Sequence, residues 1–291
     1  MSEPRTVSEL LVVGETVLAD STHLFEDHDF EDQARELLAT ALKITEDELE
    51  DAYVAPRPVR DRYLALVARR ASGEPQPFLT GRIEFYGLDL RVKPGAFVPR
   101  PSSELTVDRA IRRLRRRKNP VVVDVAAGAG PIALAIAHEI PGSHAWALDI
   151  SKEALAQGRS NARRLGIDNV TFRAGDMYAP LPDHLEEGID LITAHVPYVP
   201  KGELDDLPTE VRAYEPVYTL TDDSDDGMSL VRRAVAEGVA WLKPGGWLLL
   251  EMSDDIASKT RKLMRRAGLS DEGIASDDDG LSVVVEGRKG A

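Results

Sequence analysis

The chain has 291 residues, 43% hydrophobic and 30% charged, a composition that suits a globular protein with one large and one small domain. It contains no cysteine, which excludes disulfides, thiolate zinc sites and cysteine nucleophiles. A formal net charge of −14 repels nucleic-acid phosphates, and no apolar run is long enough to span a membrane.

In chain order, the opening residues carry no signal-peptide pattern, so the cytoplasm is the expected location. Residues 6–72 read as a small helical bundle. Leu37, Leu38, Ala41 and Leu42 recur at helical spacing, as do Leu64, Val67 and their neighbours. Thr45 and Glu48 form a capping-box pattern opening a short helix, and Gly73 lies past the end of the last one. From 75 to 101, Pro75, Pro77, Gly81, Gly87, Pro94, Gly95, Pro99 and Pro101 break any helix. Residues 82–86 and 88–92 alternate around Gly87 and predict a β-hairpin. The expected domains are therefore a helical domain over 1–74, a hairpin linker over 75–101 and an α/β domain over 102–291.

Beyond 104, strand and helix patterns alternate. Strands are expected at Val121–Val125, His144–Asp149, 170–173, Ile189–Ala194, 247–251 and 282–286, with helices over 132–138 and Lys152–Leu165. Such alternation predicts a mostly parallel sheet with helices on both faces, the last strand joining after an acidic turn at 277–280 as a candidate antiparallel addition. A helix over 110–118 carries Arg112, Arg113, Arg115, Arg116, Arg117 and Lys118. It reads as a solvated face, with an anionic partner as the alternative. The acidic stretches 221–226 and 276–279 read as solvated loops.

The first strand of this domain ends Asp124-Val-Ala126-Ala-Gly128-Ala-Gly130, and 19 residues after Gly130 a second strand ends in Asp149. Glycines after a strand let a nucleoside approach the backbone, and the second acid suits ribose hydroxyls. A dinucleotide dehydrogenase is the obvious competitor, but Asp124 would then point towards a pyrophosphate. A ligand bearing ammonium or sulfonium charge and no phosphate suits it better, and S-adenosylmethionine (SAM) is such a ligand. Ile150 is placed to pack beside adenine. Asp176, followed by Met177 after the third strand, is placed near the adenine amino group. Residues 194–198 follow the fourth strand at the carboxyl edge, where ligands bind in open α/β sheets. Taken singly, Asp124 or Asp176 is open to a second reading as a helix N-cap.

These residues resemble the HemK/PrmC-like class I SAM-dependent methyltransferases, which methylate a glutamine amide in peptide chain release factors. The match runs through Arg69 to Pro75, Leu79 to Gly87, Val98 to Glu104, Glu210 to Pro216, Asp226-Gly227 and Leu242 to Leu248. The resemblance implies a Rossmann-like, mostly parallel seven-stranded sheet with a helical acceptor-recognition domain. It also implies SAM as cofactor, S-adenosylhomocysteine as product, and a protein with an exposed glutamine as partner. The cofactor site would comprise Asp124, Ala126, Gly128, Gly130, Asp149, Ile150, Asp176, Met177 and His195. The acceptor site would comprise His195, Val196, Pro197 and Tyr198.

Two departures stand out. Ala126 replaces a family glycine and brings a methyl group towards the methionine moiety. His195-Val196-Pro197-Tyr198 replaces the family's Asn-Pro-Pro-Tyr. Val196 keeps a carbonyl able to accept an N–H, and Tyr198 a ring able to stack on a planar acceptor. His195 has one acceptor and one donor nitrogen when neutral, which leaves three roles open: orienting an amide, general base for a hydroxyl, phenol or amine, or inert lining. The altered motif keeps a small-molecule acceptor, such as a specialised metabolite, beside the protein glutamine. A SAM-binding protein without transferase activity and a nucleic-acid amino-methyltransferase are the remaining alternatives. The six histidines form no metal-ligand pattern; His23 and His28 sit in an acidic, loop-like stretch, so no metal is expected. No nucleophile elbow supports Ser-His-Asp chemistry.

Overall fold

The computed structural model describes residues 4–24, 29–276 and 283–290. Helix α1 (Val7–Ala19) starts at a capping box in which Thr6 accepts the Glu9 amide and the Glu9 carboxylate accepts the Thr6 amide. Asp29 caps α2 (Phe30–Leu42) through the Asp32 amide. The box at Thr45 opens a 3-10 turn, Glu46–Glu48, and not an α-helix. Helix α3 (Arg57–Ala71) ends before Gly73, whose φ of +94° turns the chain. Leu10, Leu18, Leu37, Leu38 and Tyr63 are fully buried in the core that α1, α2 and α3 share. His28 lies outside the described residues.

The proline- and glycine-rich stretch does hold one short helix, α4 (Gln76–Thr80), contrary to expectation. Pro77 stands in its first turn, where a missing N–H costs nothing. The hairpin follows as β1 (Arg82–Phe85) and β2 (Leu88–Arg91). Tyr86, expected in the first strand, belongs to the turn with Gly87. Both have positive φ, 50° and 72°, as a type I′ turn requires. The Tyr86 amide donates to Glu104 Oε1 (2.7 Å) and its hydroxyl to Asp108 Oδ1 (2.7 Å), both on α5 (Glu104–Leu114).

The sheet is built from β3 (Val121–Val125), α6 (Pro131–Glu139), β4 (His144–Asp149), α7 (Lys152–Leu165), β5 (Val170–Ala174) and β6 (Ile189–Ala194). After a helical turn, α8 (Thr209–Arg212), it continues with α9 (Ser229–Trp241), β7 (Leu242–Met252), α10 (Asp254–Arg266), β8 (Leu269–Ser276) and β9 (Val283–Lys289). The strand order is β5-β4-β3-β6-β7-β9-β8, a seven-stranded sheet parallel from β5 to β7, with β9 antiparallel to both its neighbours. Every residue of β6 is buried, as a central parallel strand with both faces covered demands. Strand β8 escaped the sequence reading because it is a largely exposed edge strand with weak alternation. The acidic turn 277–280, with Ser282 and most of the stretch 276–279, lies outside the described residues.

The arginine-rich helix stops at Leu114, earlier than its charge run implies. Arg109 and Arg113 converge on the buried Glu286 of β9, and Arg113 stacks over the Trp247 ring at 3.8 Å. Arg117 donates to the Gly245 carbonyl (2.7 Å). Arg113 and Arg117 are therefore structural, while Arg112, Arg115, Arg116 and Lys118 are exposed.

The chain divides into two compact units: Met1–Ile83 with Val92–Pro94 and Asp205–Glu215, and Glu84–Arg91 with Gly95–Leu204 and Pro216–Ala291. The segment carrying α8 thus folds with the helical unit. There Arg70, 1% exposed, pairs with Glu210 (2.8 Å) and donates to Gln33 Oε1 (2.8 Å). Among the described residues, no helix is long and apolar enough to cross a membrane.

Candidate functional site

The strand order reverses at β3: β4 and β5 lie to one side, β6 and β7 to the other. A crevice opens outside the carboxyl ends of the strands at such a switch point, and here a cavity formed wholly within the sheet unit occupies that place. Asp124 lines it. Its register partner on β6 is Thr193, whose hydroxyl donates to Asp124 Oδ1 (2.8 Å). Oδ2 has no hydrogen-bond partner among the described residues. Burial pushes this carboxyl up to about 7; the Thr193 bond opposes that rise, and the Asp149 and Glu251 carboxylates add to it. Asp124 lies inside β3 and not at a helix N-cap position, although its carboxylate also takes the backbone amide of Ala133 in the first turn of α6, which lowers its pKa.

At the end of β4, Asp149 Oδ2 accepts the Gly128 amide (2.7 Å) and Oδ1 the Ser151 amide (2.7 Å). Burial raises its carboxyl while these amides hold it down. The acid therefore locks the glycine loop to β4 as well as facing the cavity. Gly128 has φ +56° and a Cβ there would meet nothing within 4 Å, so the loop leaves room for a ligand. Gly130 does not line the cavity: with φ +73°, it lets the backbone pass Phe172, whose Cε1 a Cβ would meet at 2.8 Å. Ala126 lines the cavity in the left-handed region, φ 56°, where the family's glycine is free of strain.

Ile150 is 58% exposed at the cavity wall, an apolar face without a protein cover. Met177, 6% exposed, and Asp176 line the same wall. Asp176 caps no helix, and its carboxylate is engaged by Arg233 through two bonds of 3.0 and 2.9 Å, a partner the sequence did not reveal.

His195 and Pro197 bring the turn after β6 to the cavity. Val196 and Tyr198, expected at the acceptor site, do not line it. Val196 is 3% exposed in the core, and the Tyr198 ring stacks on His195 at 5.8 Å and 15°. Burial, with the Glu251 and Asp255 carboxylates, pushes the Tyr198 phenol up to about 12. Phe97 meets His195 edge-on at 5.6 Å. Gly227, φ +62°, passes beneath the turn so closely that a Cβ would lie 1.9 Å from the Tyr198 carbonyl oxygen.

The sequence reading missed Glu251. It stands on β7, one residue beyond the Ala194–Leu250 pair, and is 2% exposed. Its Oε1 accepts the Ser103 hydroxyl (2.7 Å), its Oε2 the Thr106 hydroxyl (2.9 Å), and Oε1 lies 3.5 Å from His195 Nδ1. A carboxylate inside the apolar run 247–252 was the available signal, the same one that marked Asp124.

The cavity thus gathers Asp124, Asp149 and the nearby Glu251 around an unpartnered buried oxygen, beside an open glycine loop and an uncovered apolar side chain. This environment fits a cationic nucleoside and opposes a pyrophosphate.

Comparison with known proteins agrees. A family pattern described as a methyltransferase domain matches residues 116–268. The chain is 37% identical over 225 residues to a release factor glutamine methyltransferase of Geobacter sulfurreducens, covering 77% of each chain. It is 38% identical over 263 residues to the protein of that name from Burkholderia pseudomallei, covering 88% of this chain and 90% of the relative. A T. thermophilus 16S rRNA methyltransferase, solved in complex with AdoMet and guanosine, shares the fold with a TM-score of 0.54 at 17% identity, covering 72% of this chain and 49% of that one.

Proposed function

The chain belongs to the release factor glutamine methyltransferase family and is a SAM-dependent methyltransferase, and on that premise we propose that it methylates the side-chain amide nitrogen of a glutamine in a protein, a release factor being the first candidate. One observation carries this reading: the turn after β6 and the glycine loop after β3 wall a single cavity. An acceptor held at one and a methyl donor held at the other meet there.

When bound, SAM supplies an electrophilic methyl carbon on a sulfonium. Asp149 takes the ribose hydroxyls, using lone pairs left beside its two amide bonds. Ile150 packs on adenine, with Met177 behind it and Asp176 held at the rim by Arg233. The unpartnered oxygen of Asp124 faces the cationic end of the donor, and the loop from Ala126 to Gly128 flanks it.

An amide nitrogen is a poor nucleophile because its lone pair is delocalised, so alignment is the main service the protein provides. His195, which lines the cavity, accepts an N–H group of the acceptor and directs its nitrogen inward. Tyr198 serves by bracing the imidazole through stacking. The helical unit supplies acceptor recognition. In support, Asp205–Glu215, only a few residues past the acceptor turn, folds with that unit through the buried Arg70–Glu210 pair.

The test is to incubate the full chain with SAM and a release factor carrying an accessible glutamine, and to locate the methyl group by mass spectrometry. Methylglutamine at one position, lost when that residue becomes glutamate, is expected. Turnover of a small-molecule acceptor with no methylglutamine in any protein overturns the reading.

A further inference from the structure

The buried Glu251 has no place in holding the donor or the acceptor directly, yet both its oxygens are fixed. Ser103 and Thr106 each donate a hydroxyl to one oxygen, so the carboxylate cannot swing away. The oxygen bonded to Ser103 lies 3.5 Å from His195 Nδ1. The ring is held from two further directions, by Tyr198 stacked and Phe97 edge-on. With Nδ1 turned to the carboxylate, Nε2 is the ring nitrogen left for the acceptor.

We propose that Glu251 is a positioning residue that keeps neutral His195 protonated on Nδ1, so that Nε2 offers a lone pair that first orients the acceptor N–H and then receives its proton. The proposal rests on the methyl-transfer reading above. A neutral imidazole has one donor and one acceptor nitrogen, and the partner of one nitrogen sets the state of the other. In the opposite tautomer, Nε2–H would face the acceptor N–H donor to donor, and the turn would repel its substrate. An asparagine oxygen needs no such control. A histidine in its place does, and a buried carboxylate supplies it.

The step balances. A bond forms between the acceptor nitrogen and the methyl carbon, and the sulfur–carbon bond breaks with its electron pair staying on sulfur as a neutral thioether. The acceptor's N–H proton passes to His195 Nε2. The resulting imidazolium lies beside Glu251, with Asp124 on β3 and Asp255 on α10 as the further acidic groups of this region. Arg100 is the opposing cation, seated over Phe97 at 4.4 Å.

The experiment is nitrogen-15 NMR of the full chain labelled at histidine, with S-adenosylhomocysteine bound and His195 assigned by its loss in His195→Asn. The expected spectrum shows neutral His195 with its proton on Nδ1. In Glu251→Gln that preference is lost, and turnover of the methyl acceptor falls about tenfold to a hundredfold, with acceptor KM changed less than about threefold. Wild-type His195 carrying its proton on Nε2 overturns the proposal, as does a Glu251→Gln protein that keeps both tautomer and turnover. The wild-type tautomer is read without any acceptor, and it does not depend on whether Glu251→Gln folds. Failure here is therefore distinct from failure of the glutamine reading, which is read by the absence of methylglutamine.

Discussion

The Asp124 carboxyl makes the affinity for SAM depend on pH, and the size of the effect follows from its surroundings. Burial lifts it from 3.8 to about 7 in the ligand-free chain. A cationic ligand opposite Oδ2 favours the ionised form, so binding below that pH must first expel a proton. The ionised fraction falls from about 90% at pH 8 to about 10% at pH 6, which lowers SAM affinity about tenfold, and the loss grows as pH falls through 7. Calorimetry in buffers of different ionisation enthalpy reads both the affinity and the proton released. Asp124→Asn removes this share of the pH dependence while the ligand's own titration persists, so the difference between the two proteins isolates the group. The same shift bears on stability. The folded chain holds this proton more tightly than the unfolded chain, so ionised Asp124 costs about 4 kcal/mol above pH 7 and nothing below about pH 4. An asparagine avoids that cost but leaves an unpaired amide donor, worth about 1–3 kcal/mol. Asp124→Asn therefore stabilises the ligand-free chain at pH 8 by about 1–3 kcal/mol while weakening SAM binding. A wild-type affinity profile parallel to that of the variant refutes the reasoning.

Three further substitutions test the site piece by piece. Asp149→Ala removes the ribose acceptor and releases the Gly128 amide, so SAM binding is lost in calorimetry; unchanged affinity removes Asp149 from the site. Ala126→Gly relieves a left-handed alanine that costs about 1–2 kcal/mol, of which the freer unfolded glycine returns about 0.4–1 kcal/mol. The net gain raises Tm by about 2–4 °C and tightens SAM binding as the methyl leaves the cavity wall; a fall in both shows that the chain has adapted to alanine. Gly227→Ala drives a Cβ against the Tyr198 carbonyl and displaces the acceptor turn. Turnover falls about a hundredfold with SAM affinity retained, and a matching loss of affinity shows that the two halves of the cavity are not separable.

Periodicity located the elements whose burial is one-sided or complete. β3, β4, β6 and α7 lie where the pattern puts them, because an apolar run or a helical stripe there answers to a core. The pattern failed where burial is slight or where local chemistry overrides it. Strand β8 exposes most of its length at the sheet edge and leaves no alternation to read. The Arg112–Lys118 run looked uniformly solvated because sequence cannot show that Arg113 reaches Trp247 and Glu286, residues that come together only when β7 and β9 pair. Helix α4 formed inside a proline-rich stretch because its proline falls in the first turn.

The site was legible for a different reason: acids inside apolar strands are too costly to be idle. Asp124 in a run of valines and Glu251 in a run of leucines carry the same signal, but the two are satisfied differently. Glu251 finds Ser103 148 residues earlier in the chain and Thr106 beside it, a pairing no spacing rule exposes, and so its role passes through His195. Asp124 finds Thr193 for Oδ1, while its Oδ2 has no hydrogen-bond partner among the described residues. A buried acid with both oxygens engaged by the fold is a fixture of the fold or a brace for a neighbour, whereas one left half-satisfied at a cavity wall needs a partner from outside. On the proposed reading, that difference, invisible until the strands pair, separates Asp124, which meets the ligand, from Glu251, which positions the group meeting the acceptor.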